Sequence, residues 1–64
     1  MVTILHWRKE ESHLIIRCSF PDGRIFGVSI GVTKEMLKDP NMTDDKLLEI
    51  IHMNVDNITP DMIQ

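Results

Sequence analysis

The 64-residue sequence predicts a single small α+β domain, residues 1–64, with its elements in the order βββα. A Pro-Asp-Gly turn lies between two alternating apolar runs, a β-branched and aromatic run precedes them, and an apolar stripe at helical spacing follows Thr43. Together these features predict a three-stranded antiparallel meander. One main C-terminal helix should pack on one face of the meander, and a short helical turn should follow the third strand.

The first strand is predicted over residues 2–7, which are rich in β-branched and aromatic side chains and carry no helix-start signal. The charged residues 8–12 then connect it to the second strand. Strand alternation leaves the face of Trp7 open. If Ile4 faces the core, Leu5 and Trp7 lie on the opposite face; the reversed register makes Trp7 a core residue, and a mostly buried Trp7 is the favoured interpretation.

The second and third strands form a hairpin around the turn at residues 21–23. Pro21 has the φ angle that the first central position of a type I turn requires, and Asp22 can accept a hydrogen bond from the backbone just ahead of it. Gly23 can adopt the left-handed conformation that ends such a turn with a G1 bulge. This is the most specific structural prediction that the sequence makes.

The two strands of this hairpin have faces of different character, because strand side chains alternate with period two. One face is apolar and is predicted to form the core: Leu14, Ile16, Cys18, Phe20, Phe26, Val28, Ile30 and Val32. The other face is flat and partly basic: Ile15, Arg17, Ser19, Ile25, Gly27, Ser29 and Gly31.

Two hydroxyl residues predict the starts of helices. Thr33 can cap a turn over residues 34–38, and Thr43, followed by two aspartates at the positive end of the dipole, can cap a helix over residues 44–57. Pro60 suits the first position of one last turn. The apolar stripe of the main helix consists of Leu47 or Leu48, Ile51, Val55 and Ile58.

Composition limits the function classes. Cys18 is the single cysteine, so no disulfide can form within the chain, and a lone thiol suits a reducing compartment. Apolar runs are too short for a membrane helix, and residues 1–7 do not read as a signal peptide. The expected location is therefore the cytoplasm, either of a cell or of an infected host cell.

Charge is divided unevenly along the chain. Residues 1–38 hold six Lys or Arg and four acids, a net of +2, whereas residues 39–64 hold one Lys and six acids, a net of −5. The sheet half is thus mildly basic and the helical half is acidic. Such a dipolar molecule could dock one side onto a charged partner.

No pattern for catalysis or cofactor binding is found. His6, His13, His52 and Cys18 match no zinc spacing, although His6 and His13 flank the first connection and could face each other. Adjacent strand residues point to opposite faces, so Ser12 and His13 should not form a nucleophile–base pair. We expect no enzyme activity, no catalytic residue, no cofactor and no metal.

The remaining class is protein binding. Several apolar residues exceed what one helix on one sheet can cover, and exposed apolar patches mark association surfaces. We expect a homodimer, a modulator of a larger protein, or both; in size the chain is like small bacterial accessory or phage-encoded modulators. The predicted interaction surface comprises Leu5, Trp7, Ile15, Arg17, Ile25, Gly27, Ser29 and Gly31.

Two alternatives to this interpretation stay open. The chain could be a small nucleic-acid-binding regulator that uses Arg17 with Trp7 and Lys9 as a basic stacking platform. The isoelectric point near 5.4 and the acidic main helix disfavour that role. Alternatively, residues 34–38 and 59–64 could fold back to cover the flat sheet face within one chain.

Overall fold

The computed structural model describes residues 1–63 and confirms the βββα order. The elements are β1 (Thr3–Lys9), β2 (His13–Ser19), β3 (Ile25–Gly31), α1 (Lys34–Lys38), α2 (Asp44–Val55) and a 3₁₀ turn (Pro60–Met62). The strands form one antiparallel sheet in the order β1-β2-β3.

A single hydrophobic core lies between α2 and one face of the sheet. Leu47, Ile51 and Val55 of α2 are buried, as the helical stripe predicts. The whole buried set is Val2, Leu14, Ile16, Cys18, Phe20, Phe26, Leu47, Ile51 and Val55. These are the positions that the two periodicities, two for the strands and 3.6 for the helix, place on facing surfaces.

The β2–β3 turn has the predicted conformation. The Gly23 N–H donates to the Phe20 carbonyl over 2.9 Å, and Gly23 itself has φ of 92°. The Arg24 N–H donates to Asp22 Oδ1 over 3.0 Å. This bond from the Arg24 backbone, helped by the Arg24 side chain, lowers the pKa of the Asp22 carboxyl. The turn is therefore a type I turn followed by a left-handed glycine.

Replacing Gly23 by Val should lower the free energy of unfolding by roughly 1–2 kcal/mol, because a β-branched residue rarely adopts positive φ. No atom lies within 4 Å of an added Cβ at this position, so backbone strain alone causes the loss. Gly31→Val is the matched control, since Gly31 has ordinary φ and equally open space. Urea unfolding measures both; equal stability of the two variants would contradict the turn assignment.

A β-bulge in β1 resolves the face of Trp7. Ile4 pairs with Cys18 and Trp7 pairs with Ile16, and the register shifts between Ile4 and His6. Leu5 is the extra residue, and one extra residue shifts alternation by one position. Ile4 and Trp7 therefore both lie on the core face, a combination that strict alternation does not allow. Trp7 is half-buried and packs against the core.

Both predicted helix caps form. Thr33 Oγ1 accepts from the Met36 N–H over 3.0 Å, and Thr43 Oγ1 accepts from the Lys46 N–H over 3.3 Å. Helix α2 ends at Val55 rather than at the predicted residue 57. The chain tightens there, because the Ile58 N–H donates to the Val55 carbonyl across only three residues.

The segments after β3 pack on the helix side of the sheet. Leu37, Met42, Ile58 and Ile63 are half-buried against the core. The interpretation that residues 34–38 and 59–64 cover the flat face is therefore wrong for the described residues; Gln64 lies outside them. The apolar side chains of these segments instead pack around the edge of the core between α2 and the sheet.

Candidate interaction surface

The sheet has one face that points away from α2, which we call the open face. Its members follow from the register, since cross-strand partners share a face. They are Thr3, His6, Arg8, His13, Ile15, Arg17, Ser19, Ile25, Gly27, Ser29 and Gly31. Ile15 and Ser19 are half-buried, and the others are exposed. The open face is thus a solvent-accessible surface that spans all three strands.

The open face is basic. It carries Arg8, Arg17, His6 and His13, and none of its described residues is Asp or Glu. Arg8 Nε lies 3.4 Å from Glu10 Oε2, beyond the end of the strand. Arg17 lies at the centre, between His6 on β1 and Gly27 on β3, and makes no ion pair within residues 1–63. The charge of Arg17 is therefore available to an anionic partner.

A flat line along β3 crosses the same face. At Gly27 an added Cβ would lie 3.9 Å from the Ile16 carbonyl oxygen, and at Gly31 it would meet nothing within 4 Å. Neither glycine has positive φ. The fold itself therefore does not require glycine at these two positions. The two glycines make this part of the surface shallow, so that another molecule can approach it closely.

The structure places six of the predicted surface residues together on the open face: Ile15, Arg17, Ile25, Gly27, Ser29 and Gly31. Trp7 lies on the core face instead, because of the bulge. Leu5 occupies the bulge and is 48% exposed. Sequence reasoning missed Thr3, His6, Arg8 and His13 as members of this face. Alternation along β2 alone would have found His13, whereas the three residues of β1 could be placed only with the β1 register known.

A groove of about 660 Å³ runs between β1 and α2. Ile4, Leu5 and Trp7 line it from the strand, and Leu48 and His52 line it from the helix. The groove is lined more by apolar than by polar side chains and is open to solvent. It lies at the edge of the sheet, where Thr3 and His6 of the open face also line it.

Charged residues of α2 lie on the side of the sheet opposite the open face, because α2 packs against the other face. They include Asp45 and Glu49, which are exposed, and the exposed Asp56 follows directly after the helix. Lys9 Nζ and Asp44 Oδ1, 3.1 Å apart, link the end of β1 to the start of α2. Of the six Lys and Arg residues in the basic half of the sequence, Arg8 and Arg17 lie on the open face, whereas Lys9, Arg24 and Lys34 are paired with acids elsewhere.

One expectation about chemistry needs correction. Ser12 Oγ lies 3.3 Å from His13 Nδ1, because β2 begins at His13 and Ser12 lies in the preceding bend, where strand alternation does not apply. His6 and His13 do not face each other, since His6 pairs with Arg17 and His13 with Gly31. A nucleophile–base pair requires a third group that orients the base. Within residues 1–63 no side chain hydrogen-bonds His13 in that way besides Ser12 itself.

Other reactive or metal-binding features are few. Burial raises the pKa of the Cys18 thiol, and a protonated thiol is a poor nucleophile. Among the described residues, no three His, Cys, Asp or Glu side chains converge as a metal site would require. No helix in residues 1–63 combines the length and apolar character needed to cross a bilayer.

Comparisons with known proteins place the chain in no family. No family model, curated protein or solved structure matches it.

Proposed function

We propose that the chain is a non-enzymatic interaction module that binds and modulates a larger protein through its open face. One observation carries the proposal: the face presents Arg17, Arg8 and two histidines around Ile15 and has no acid among its described residues. A surface of this kind fits a partner with an acidic patch beside apolar contacts. The proposed setting is the cytoplasm of a cell or of an infected host cell.

The open face fits a protein better than a nucleic acid. The aromatic side chains Trp7, Phe20 and Phe26 all belong to the core or pack against it, so none is available on the open face for stacking bases. We expect no binding to mixed DNA or RNA oligomers at physiological salt. Micromolar binding that weakens with added salt, and that Arg17→Ala reduces, would favour the nucleic-acid regulator instead.

Charge reversal at the centre of the open face tests the proposal. The tagged chain is used to capture partners from an extract of its source cells, next to Arg17→Glu and the control Lys46→Glu. Lys46 is an exposed cation of α2, so the control changes net charge equally but on the other side of the sheet. We expect Lys46→Glu to retain the wild-type partner and Arg17→Glu to lose it. Retention by both variants would contradict the proposed surface.

A homodimer is a second candidate, favoured by the exposed Ile25 and the flat line at Gly27 and Gly31. A two-fold axis through the face would bury these residues twice, which is the commonest way to close a dimer. Such packing would also bring two copies of Arg17 close together. Sedimentation equilibrium decides: Ile25→Asp and Gly31→Arg should convert a dimer into a folded monomer. A wild-type mass near 7.4 kDa would exclude the dimer.

A further inference from the structure

The exposed edge of β1 lies beside the groove. In the sheet order β1-β2-β3, β1 pairs with β2 and with no other strand of residues 1–63. The Glu10 N–H donates to the His13 carbonyl over 2.8 Å, and the Val32 N–H donates to the Ser12 carbonyl over 2.9 Å, so His13 points its backbone toward β1. Bonded pairs alternate along an antiparallel ladder. The backbone groups of Trp7 and Lys9 therefore point outward, to the unpaired edge.

The bulge at Leu5 limits how much of this edge a new strand can use. Bulges interrupt pairing and twist an edge away from regular geometry. The regular part of β1 is the stretch from His6 to Lys9, which keeps an uninterrupted register with β2. Any added strand is therefore short, and its affinity depends on its side chains as well as on backbone hydrogen bonds.

The two sides of this edge differ in chemistry. On the groove side an added strand would lie against Trp7 and Leu48, and Lys9 at the end of β1 is already paired with Asp44 at 3.1 Å. On the open-face side it would lie against His6 and Arg8; Glu10 Oε2 lies 3.4 Å from Arg8 Nε, so an acidic side chain of the added strand would compete with Glu10 for the exposed guanidinium. Directly opposed unlike charges stabilise cross-strand pairs.

We propose that the β1 edge from His6 to Lys9 binds an extended peptide segment of a partner protein as a fourth, antiparallel strand. Its side chains alternate, with apolar residues entering the groove and acidic residues beside His6 and Arg8. Charge complementarity specifies the acidic positions, and the apolar groove specifies the others. This site goes beyond the proposed function, because it uses the sheet edge and not the centre of the open face around Arg17.

The probe is a seven-residue synthetic peptide of alternating valine and glutamate, capped at both ends. Trp7 is the only tryptophan of the chain and lines the groove, so its fluorescence reports binding directly. We expect saturable binding. Alternating valine and lysine should bind at least about tenfold more weakly, since each acid–base contact is lost. N-methylation of the peptide amides that face β1 should also cost about tenfold or more, because it removes backbone donors.

Two variants locate the site. Leu5 lines the groove, so Leu5→Asp should weaken peptide binding about tenfold. Ile25 is an exposed apolar residue on the opposite edge strand, so Ile25→Asp should leave peptide binding unchanged. Arg8→Glu should reverse the preference toward the lysine peptide. Circular dichroism checks that each variant is folded. Because Leu5→Asp and Arg8→Glu act independently, one remains informative if the other fails to fold.

Several results would overturn this assignment. They are the absence of saturable binding, equal binding of the N-methylated peptide, or equal loss in Leu5→Asp and Ile25→Asp. A wild-type dimer that Leu5→Asp alone dissociates would show that a second copy, not a partner peptide, occupies the edge. Loss of the partner on Arg17→Glu tests the open face separately, so failure of one proposal leaves the other standing.

Discussion

Replacing Ile51 by Ala is expected to lower the free energy of unfolding by about 2–5 kcal/mol. Ile51 is fully buried at the middle of α2, between Leu47 and Val55 and against the sheet. Truncation removes apolar contacts and leaves a cavity that a rigid sheet cannot close. A single core in a domain below about 70 residues rarely supplies more than about 3–5 kcal/mol of stability. The variant should therefore be largely unfolded at 37 °C.

The matched control for this change is on the same helix. Met53 is 80% exposed, so Met53→Ala should change stability by less than about 0.5 kcal/mol. Thermal and urea unfolding followed by circular dichroism measure both variants. If Ile51→Ala unfolds at the same urea concentration as the wild type, α2 does not pack on the sheet in the arrangement described.

Replacing Trp7 by Ala should lower the free energy of unfolding by about 2–3 kcal/mol, the next largest expected effect. A fully buried Trp loses more, but Trp7 is half-buried, so part of its contact area is already hydrated. This loss of stability tests for the bulge, because only the register shift places Trp7 on the core face together with Ile4. Urea unfolding, with Leu5→Ala as the control at the neighbouring bulge position, measures it.

The expected cost of Leu5→Ala is below about 1 kcal/mol, since Leu5 is 48% exposed. A Trp7→Ala variant with wild-type stability would mean that Trp7 is not part of the core margin. If that variant were also to lose partner binding, Trp7 would belong to the interaction surface that the sequence predicts for it.

Local elements of the fold could be predicted from sequence because local chemistry determines them. The left-handed conformation at Gly23 and the caps at Thr33 and Thr43 each depend on hydrogen bonds within a few residues. The end of α2 was less predictable. Asp56 and Asn57 are compatible with helix, and the turn that replaces it serves to bring Ile58 back to the core.

The first strand shows where sequence reasoning stops. A bulge is a property of two paired strands, and nothing in residues 2–7 alone marks Leu5 as the extra one. Both alternatives for Trp7 assumed strict alternation, in which Ile4 and Trp7 lie on opposite faces. The bulge instead places both residues on the core face. Likewise, the hydrogen bond between Ser12 and His13 depends on the boundary of β2, because Ser12 lies in the bend just before the strand begins.

The open face was predictable in part. Period-two alternation along β2 and β3 is enough to group Arg17 with Gly27 and Ser29. Alternation in β1 is broken, so His6 and Arg8 could not be assigned without the register. The basic character of the face therefore emerges only when all three strands are aligned.

The footprint of a captured partner on the amide spectrum of the isotope-labelled chain tests the central claim most directly. We predict that the partner shifts or broadens the amides of Arg17, Gly27 and Ser29 at the centre of the open face. The amides of Lys46 and Met53, on the outer side of α2, should remain unchanged. A footprint centred on α2, with the open-face amides unaffected, would contradict the account.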